Sequence, residues 1–327
     1  MKAMVMTAFG GPEVFTLQDI PKPEPGATDL LIEVRATALN PVDCKTRQAP
    51  RWGDRVPPMV LGFDVCGTVA AVGVDVVGFE VGDEIIASPS LVRDGANAEF
   101  VCVDYRTAAP KPVNVSALEA ASLPLVSLTA WESLHEHGRM QPGETVLIQA
   151  GAGGVGHIAV QLAKQAGCKV ITTIGKPDSE ACVRNLYADV CIDYHKENVV
   201  ERVLEETNGK GCDVVLDAVG GQVFTDCISC VAFGGRLVTI VPGVPGDNIN
   251  ALFKKSASLH FEFMGAKVMQ DEKPEEQGEV LRRVSKLVDD GAIRPMVSQV
   301  FPLEALPEAH VQQESQRTVG KLVIQIQ

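Results

Sequence analysis

The chain has 327 residues, of which 46% are hydrophobic, and 29 Lys and Arg stand against 42 Asp and Glu for a formal net charge of −13. That length supports a large core and points to two domains, while the acidic balance and the lack of any Lys/Arg cluster argue against nucleic-acid binding, which needs a basic face. Nine cysteines lie scattered without paired spacing, and no signal-peptide pattern, transit segment or long apolar span is visible, so the expectation is reduced thiols, no membrane contact and a cytoplasmic location.

The N-terminal part alternates short apolar runs with Gly/Pro clusters. "MKAMVMT", "DLLIEVRATALN", "GTVAAVG", "DEIIAS" and "NAEFVCVD" read as strands of a barrel-like β domain. Near Ser116 the pattern changes, and "SALEAASLPLVSLTAWESLHEHG" has helical spacing apart from Pro124. Strands and helices then alternate. "TVLIQA", "KVITTI", "VCIDY", "CDVVLDAV", "RLVTIV" and "SLHFEFM" read as strands, and "ENVVERVLEETNG" and "GQVFTDCISCVAFGG" as helices. Strands joined by helical crossovers make a doubly wound parallel sheet. One long helix, "EEQGEVLRRVSKLVDDG", leads to a last strand "KLVIQIQ", which is expected to rejoin the first domain. The expected boundaries are 1–122 and 266–327 for the β domain and 123–265 for the inserted α/β domain.

Within "VLIQAGAGGVGHIAVQLAKQAG", a buried strand runs into Gly151, Gly153 and Gly156, which fit G-x-G-x-x-G, with Gly154 and Val155 between them. Val155, Ile158, Ala159, Leu162, Ala163 and Ala166 then recur at helical spacing, and Gly167 closes the helix. Strand, glycine turn and helix in this order aim backbone N–H groups at a pyrophosphate. The competing reading is an ordinary strand-to-helix turn.

Sites that take NADH place a carboxylate about 20 residues beyond the glycines, on the ribose 2′-hydroxyl. Here that region reads Thr172, Thr173, Ile174, Gly175, Lys176, with no carboxylate before Asp178. A carboxylate would repel a 2′-phosphate, whereas Lys176 and the threonine hydroxyls can bind one. The expected cofactor is therefore NADPH. The turn after the fifth strand of the α/β domain begins at Val241, at a strand C-terminus where ligands lie in such sheets.

"AGAGGVGHIAVQLAKQAG", "LPLVSLTAWESL", "RATALNPVDCKTR" and "LGFDVCGTV" together resemble the medium-chain dehydrogenase/reductase superfamily over nearly the whole chain, and most of all its zinc-independent quinone oxidoreductase (ζ-crystallin-like) branch. The resemblance implies a GroES-like β-barrel substrate domain, a Rossmann domain and a cleft between them. It places Thr129 beside the cofactor and Tyr194 near the adenosine 2′-phosphate, and it matches Asn40 and Arg47 to a substrate-side N-P-x-D-x-x-x-R motif. Asn40 carries an amide donor that can orient a carbonyl oxygen. Arg47 has two readings, a contact to substrate or phosphate and a structural ion pair. Asp43 reads as loop support.

Zinc-dependent relatives place Cys, His and Glu at the catalytic metal, and the matching positions here are Asn40, Phe63 and Asp64. That set cannot make a tetrahedral N/S site, so no metal is expected. Enoyl-thioester reductases of the superfamily use a tyrosine shortly after the asparagine motif. This chain has Arg51 and Trp52 there, and no tyrosine before Tyr105.

Other tempting residues are set aside. Cys227 and Cys230 form C-x-x-C inside an expected helix. His135 and His137 read as a solvated helix end, and His157 as a helix-surface residue. Cys44 has no base beside it in the sequence. The functional expectation is an NADPH-dependent quinone reductase, acting on a small molecule as a homodimer in which "SLHFEFM" pairs with its twin. The alternatives are an NADPH-dependent reductase of α,β-unsaturated aldehydes or ketones and a cofactor-binding protein with little catalysis.

Overall fold

The computed structural model describes residues 1–51, 53–243, 245–246 and 248–327. Trp52, singled out above, lies outside the described residues. The chain divides into two compact units, Met1–Leu125 with Gly265–Gln327, and Val126–Met264.

The first unit opens with β1 (Lys2–Met6), β2 (Phe15–Asp19), β3 (Asp29–Leu39), α1 (Pro41–Gln48), β4 (Met59–Val60), β5 (Val65–Val72), β6 (Glu84–Ala87), β7 (Phe100–Asp104), β8 (Ala108–Pro110) and α2 (Ala117–Ala121). α3 (Pro124–Trp131) follows and passes directly into a π-helical stretch, Glu132–His137. Pro124, which interrupts the sequence pattern, stands at the start of α3, where its missing N–H costs nothing.

The second unit continues with β9 (Thr145–Ile148), α4 (Gly154–Gln165), β10 (Lys169–Ile174), α5 (Pro177–Asn185), β11 (Val190–Asp193), α6 (Val199–Glu206), β12 (Cys212–Asp217), α7 (Gln222–Cys230), β13 (Val231–Thr239), α8 (Asn250–Lys254) and β14 (Ser258–Phe261). The chain then returns to the first unit as α9 (Ala266–Met269), α10 (Glu275–Asp289), β15 (Val297–Pro302), α11 (Leu306–Glu314) and β16 (Lys321–Gln325).

In the second unit six parallel strands run in the order β11-β10-β9-β12-β13-β14. Their near-continuous apolar sequences fit a sheet covered on both faces. The core holds Leu147, Ile171, Val203, Val215, Phe224 and Leu237, and each such side chain contributes about 1.5–3 kcal/mol on burial. α7 stops at Cys230, so "VAFGG", read from sequence as helix, instead opens β13. Val231 already pairs with Cys212, and the register shifts before Arg236 pairs with Val214. That irregularity contains Gly234 at φ 71°.

In the first unit a seven-stranded sheet runs β15-β16-β3-β5-β6-β8, with β7 also on β3, and β2-β1-β4 form a separate three-stranded sheet. β16 pairs antiparallel with β3, Leu322 opposite Leu39. The C-terminal strand thus lies beside the segment that leads into Asn40.

Candidate functional site

The nucleotide half of the site is built in the second unit. β9 ends at Ile148 and the chain turns through Ala150, whose φ of 54° is left-handed. A Cβ on Gly151 would strike the Thr172 hydroxyl, and one on Gly156 would strike the Ala150 carbonyl, so neither position tolerates a side chain. α4 then starts at Gly154 with no side-chain cap on its N-terminus. The half-buried Gly154 and Val155 open its first turn, where a helix leaves N–H groups without intrahelical partners, while the Gly153 N–H is taken by the Ala150 carbonyl at 2.9 Å.

Beyond β10, Lys176 is the extended N-cap residue of α5. The ring of Tyr194 lies across Gly175 so closely that a Cβ there would collide with its hydroxyl. Gly175, Lys176 and the half-exposed Tyr194 therefore form one surface at the C-terminal ends of β10 and β11. The carboxylate of Asp193 sits nearby, opposite Ile174 in the register. Lys196 holds it at 2.7 Å, the His195 N–H donates to it at 3.0 Å, and these bonds keep it below the usual carboxylate range.

Thr173 was expected to face the cofactor, but its hydroxyl points elsewhere. It donates to Gln149 Oε1 at 2.7 Å and accepts from the Ala150 N–H at 2.9 Å, so it braces the glycine turn. Thr129 is buried, at 6% exposure. Val241 packs over Gly220, at the end of a turn ordered by the buried Asp217, which accepts from the N–H groups of Val219 and Gly220 and from the Thr239 hydroxyl.

The substrate-side residues lie in the first unit, and there the structure departs from expectation. Asn40 is 1% exposed. Its Nδ2 donates to Asp64 Oδ2 at 2.8 Å and to the Ala38 carbonyl at 3.2 Å, and its Oδ1 accepts from Lys321 Nζ. Both amide hydrogens are engaged, which leaves none for a substrate oxygen. Asp43 accepts from the N–H groups of Asn40 and Gly62, supporting the loop as expected. Burial pushes the Asp43 carboxyl up to about 7. Burial also raises the Asp64 carboxyl, while Lys321 and the Leu125 N–H pull it back.

Of the two readings of Arg47, the structure takes the ion pair. It is 1% exposed, bound to Glu314 at 2.5 Å and to the Gly10 carbonyl at 3.0 Å. Cys44 does have a base beside it, His310 Nδ1 at 3.4 Å, contributed by α11. Burial pushes the thiol up to about 12 and the imidazole down to about 3, so the pair stays neutral and unreactive. His157 is fully buried in α4 rather than on its surface. His137 is not merely a solvated helix end, since it meets Glu262 at 3.0 Å. Cys227 and Cys230 are buried packing residues. Lys321 is the residue that sequence reasoning missed. Its only signal is a lysine opening an otherwise apolar strand.

A parallel doubly wound sheet with a glycine turn at its crevice, joined to a β domain carrying an N-P-x-D motif, defines a two-domain dinucleotide-dependent oxidoreductase. Residues 26–113 match the alcohol dehydrogenase GroES-like domain, and residues 186–324 match a zinc-binding dehydrogenase domain. A zinc-type alcohol dehydrogenase-like protein of Staphylococcus aureus is 35% identical, covering 96% of this chain and 95% of its own. A quinone oxidoreductase of Pseudomonas aeruginosa is 34% identical and covers 99% of both. The structure of a mycobacterial protein complexed with NADPH superposes with a TM-score of 0.89 at 32% identity, over 100% of both chains. The chain belongs to the medium-chain dehydrogenase/reductase superfamily, in its quinone oxidoreductase-like branch, a family that uses NAD(P).

The zinc implied by one of these domain names can be tested on the residues present. Phe63 is apolar and fully buried, and the oxygens of Asn40 and Asp64 already hold the Lys321 ammonium. Among the described residues no group of three or more His, Cys, Asp or Glu side chains is placed to hold a metal ion. The donor set does not fit zinc.

Proposed function

We propose that the protein transfers hydride from NADPH to a quinone, without zinc, in the cytoplasm and as a homodimer. The observation that carries the choice of acceptor is the internal satisfaction of the substrate-side polar groups. Asn40 and Asp64 bond each other and Lys321, and Arg47 is tied through Nε to the Gly10 carbonyl and through Nη2 to Glu314, so none is poised to donate a proton. A quinone is already electrophilic and its reduced form takes protons from water, so binding, orientation and a dry pocket suffice. A simple ketone would need a positioned acid or a Lewis acid.

When bound, NADPH supplies the hydride. The chain's own groups do the positioning: the N-terminus of α4 takes the pyrophosphate, and Lys176 and Tyr194 take the 2′-phosphate. Thr129 and Val241 flank the nicotinamide. NADPH is favoured over NADH by the surface of Gly175, Lys176 and Tyr194, where Asp193 is neutralised by Lys196.

The test is NADPH consumption by purified protein against a panel of quinones and a panel of α,β-unsaturated aldehydes and ketones. Turnover confined to quinones supports the proposal. Turnover confined to enones would move the assignment to enone reduction. Silence on both, with tight NADPH binding, would make the chain a binding protein.

A further inference from the structure

Lys321 opens β16 and is 2% exposed. An ammonium has three N–H donors, and each finds one oxygen: Leu39 O at 3.0 Å, Asn40 Oδ1, and Asp64 Oδ2 at 3.1 Å. Every one of those oxygens is held by something other than the lysine. Leu39 is fixed in β3 by pairing with Leu322. Asn40 caps α1 and is oriented by its own donation to Asp64 and Ala38. Asp64 is anchored through its other oxygen by the Leu125 N–H at 2.7 Å. The oxygens therefore form a cage pre-shaped around a three-donor cation, and the lysine that fills it comes from 257 residues or more further along the chain.

We propose that this cage is a primary-ammonium site whose ligand is tethered. Lys321 supplies internally the positive charge that the locus requires, which closes it to zinc and to other metals. Cutting the tether leaves a cavity that selects a free primary alkylammonium. The selection follows from geometry. Three convergent acceptors match three N–H donors, whereas a quaternary ammonium has none to give. A neutral alcohol leaves the Asp64 carboxylate buried without a counter-charge.

The experiment uses the full chain and the variant Lys321→Ala, which lacks the atoms that n-propylammonium would restore. Thermal melting is followed with n-propylammonium chloride, tetramethylammonium chloride at equal ionic strength, and n-propanol. The expected result is a variant that melts well below the parent and recovers, saturably, with n-propylammonium alone. Equal recovery with the quaternary ion or the alcohol, or no recovery, would overturn the proposal, as would a variant that melts with the parent. Should the variant not be isolated folded, it is refolded from denaturant with and without n-propylammonium. Refolding only with the amine supports the cage, and any other pattern overturns it. Elemental analysis of the parent provides an independent arm: one zinc per chain would contradict closure to metal. A charge-matched pair adds a second. Lys321→Met combined with Asp64→Asn should melt above Lys321→Met alone, and if it does not, the charge is not what the cage holds.

Discussion

Replacing Asn40 by alanine separates two roles for the asparagine. If it were an oxyanion donor, Asn40→Ala would lower turnover and leave melting unchanged. The structure gives its side chain three hydrogen bonds instead, to Lys321, Asp64 and Ala38. Truncation leaves a buried ammonium and a buried carboxylate each short of a partner. At about 1–3 kcal/mol per unsatisfied buried group, the loss is roughly 2–6 kcal/mol. A domain of this size loses roughly 2–4 °C per kcal/mol, so melting should fall by at least about 4 °C. Differential scanning calorimetry with and without NADPH reads this directly, beside initial rates at a temperature where both proteins are folded. If Asn40→Ala melts with the parent while turnover drops by about 10²–10³, the range for a lost oxyanion donor, the hydrogen-bond accounting is wrong and the catalytic role stands.

Lys176→Ala should raise the NADPH KM by about tenfold, equivalent to about 1.4 kcal/mol, with NADH nearly unchanged; a parallel rise for both would remove Lys176 from the 2′-phosphate. Gly175→Ala should do the same by displacing Tyr194, and unchanged NADPH binding would refute that packing. His310 is held neutral with its imidazole down at about 3, so the unfolded chain takes up a proton that the fold refuses. Its stabilising contribution is complete above about pH 6.5 and is lost at about 1.4 kcal/mol per pH unit as pH falls toward 3. Asp43, raised to about 7, gives the opposite slope between about pH 4 and 7, so the His310 part is read as the difference between parent and His310→Leu in urea unfolding at pH 5 and pH 7. A variant with the parent's pH dependence would refute it. β14 is one edge strand of its sheet, with Phe261 57% exposed and Phe263, just beyond it, 41% exposed; light scattering should give a dimer, and His260→Pro should give a monomer.

The alternation of strands and helices and the glycine turn were legible in the sequence because each rests on local pattern. A strand, three glycines and an apolar stripe specify one geometry within a few dozen residues. The substrate-side chemistry was not legible because its partners are remote. Arg47 meets Glu314 across 267 residues, and Cys44 meets His310 across 266. Lys321 gains its partners only when β16 lies against β3. The burial of His157 and the early start of β13 likewise depend on packing, which overrides helical periodicity at the ends of elements.

The measurement that tests the central claim most directly is the initial rate of quinone reduction by NADPH after exhaustive chelation, with NADH assayed in parallel. The account predicts full activity without metal and a preference of at least about tenfold for NADPH, the size that one or two phosphate contacts supply. Activity that is lost on chelation and restored by zinc, or that runs equally well on NADH, would contradict it.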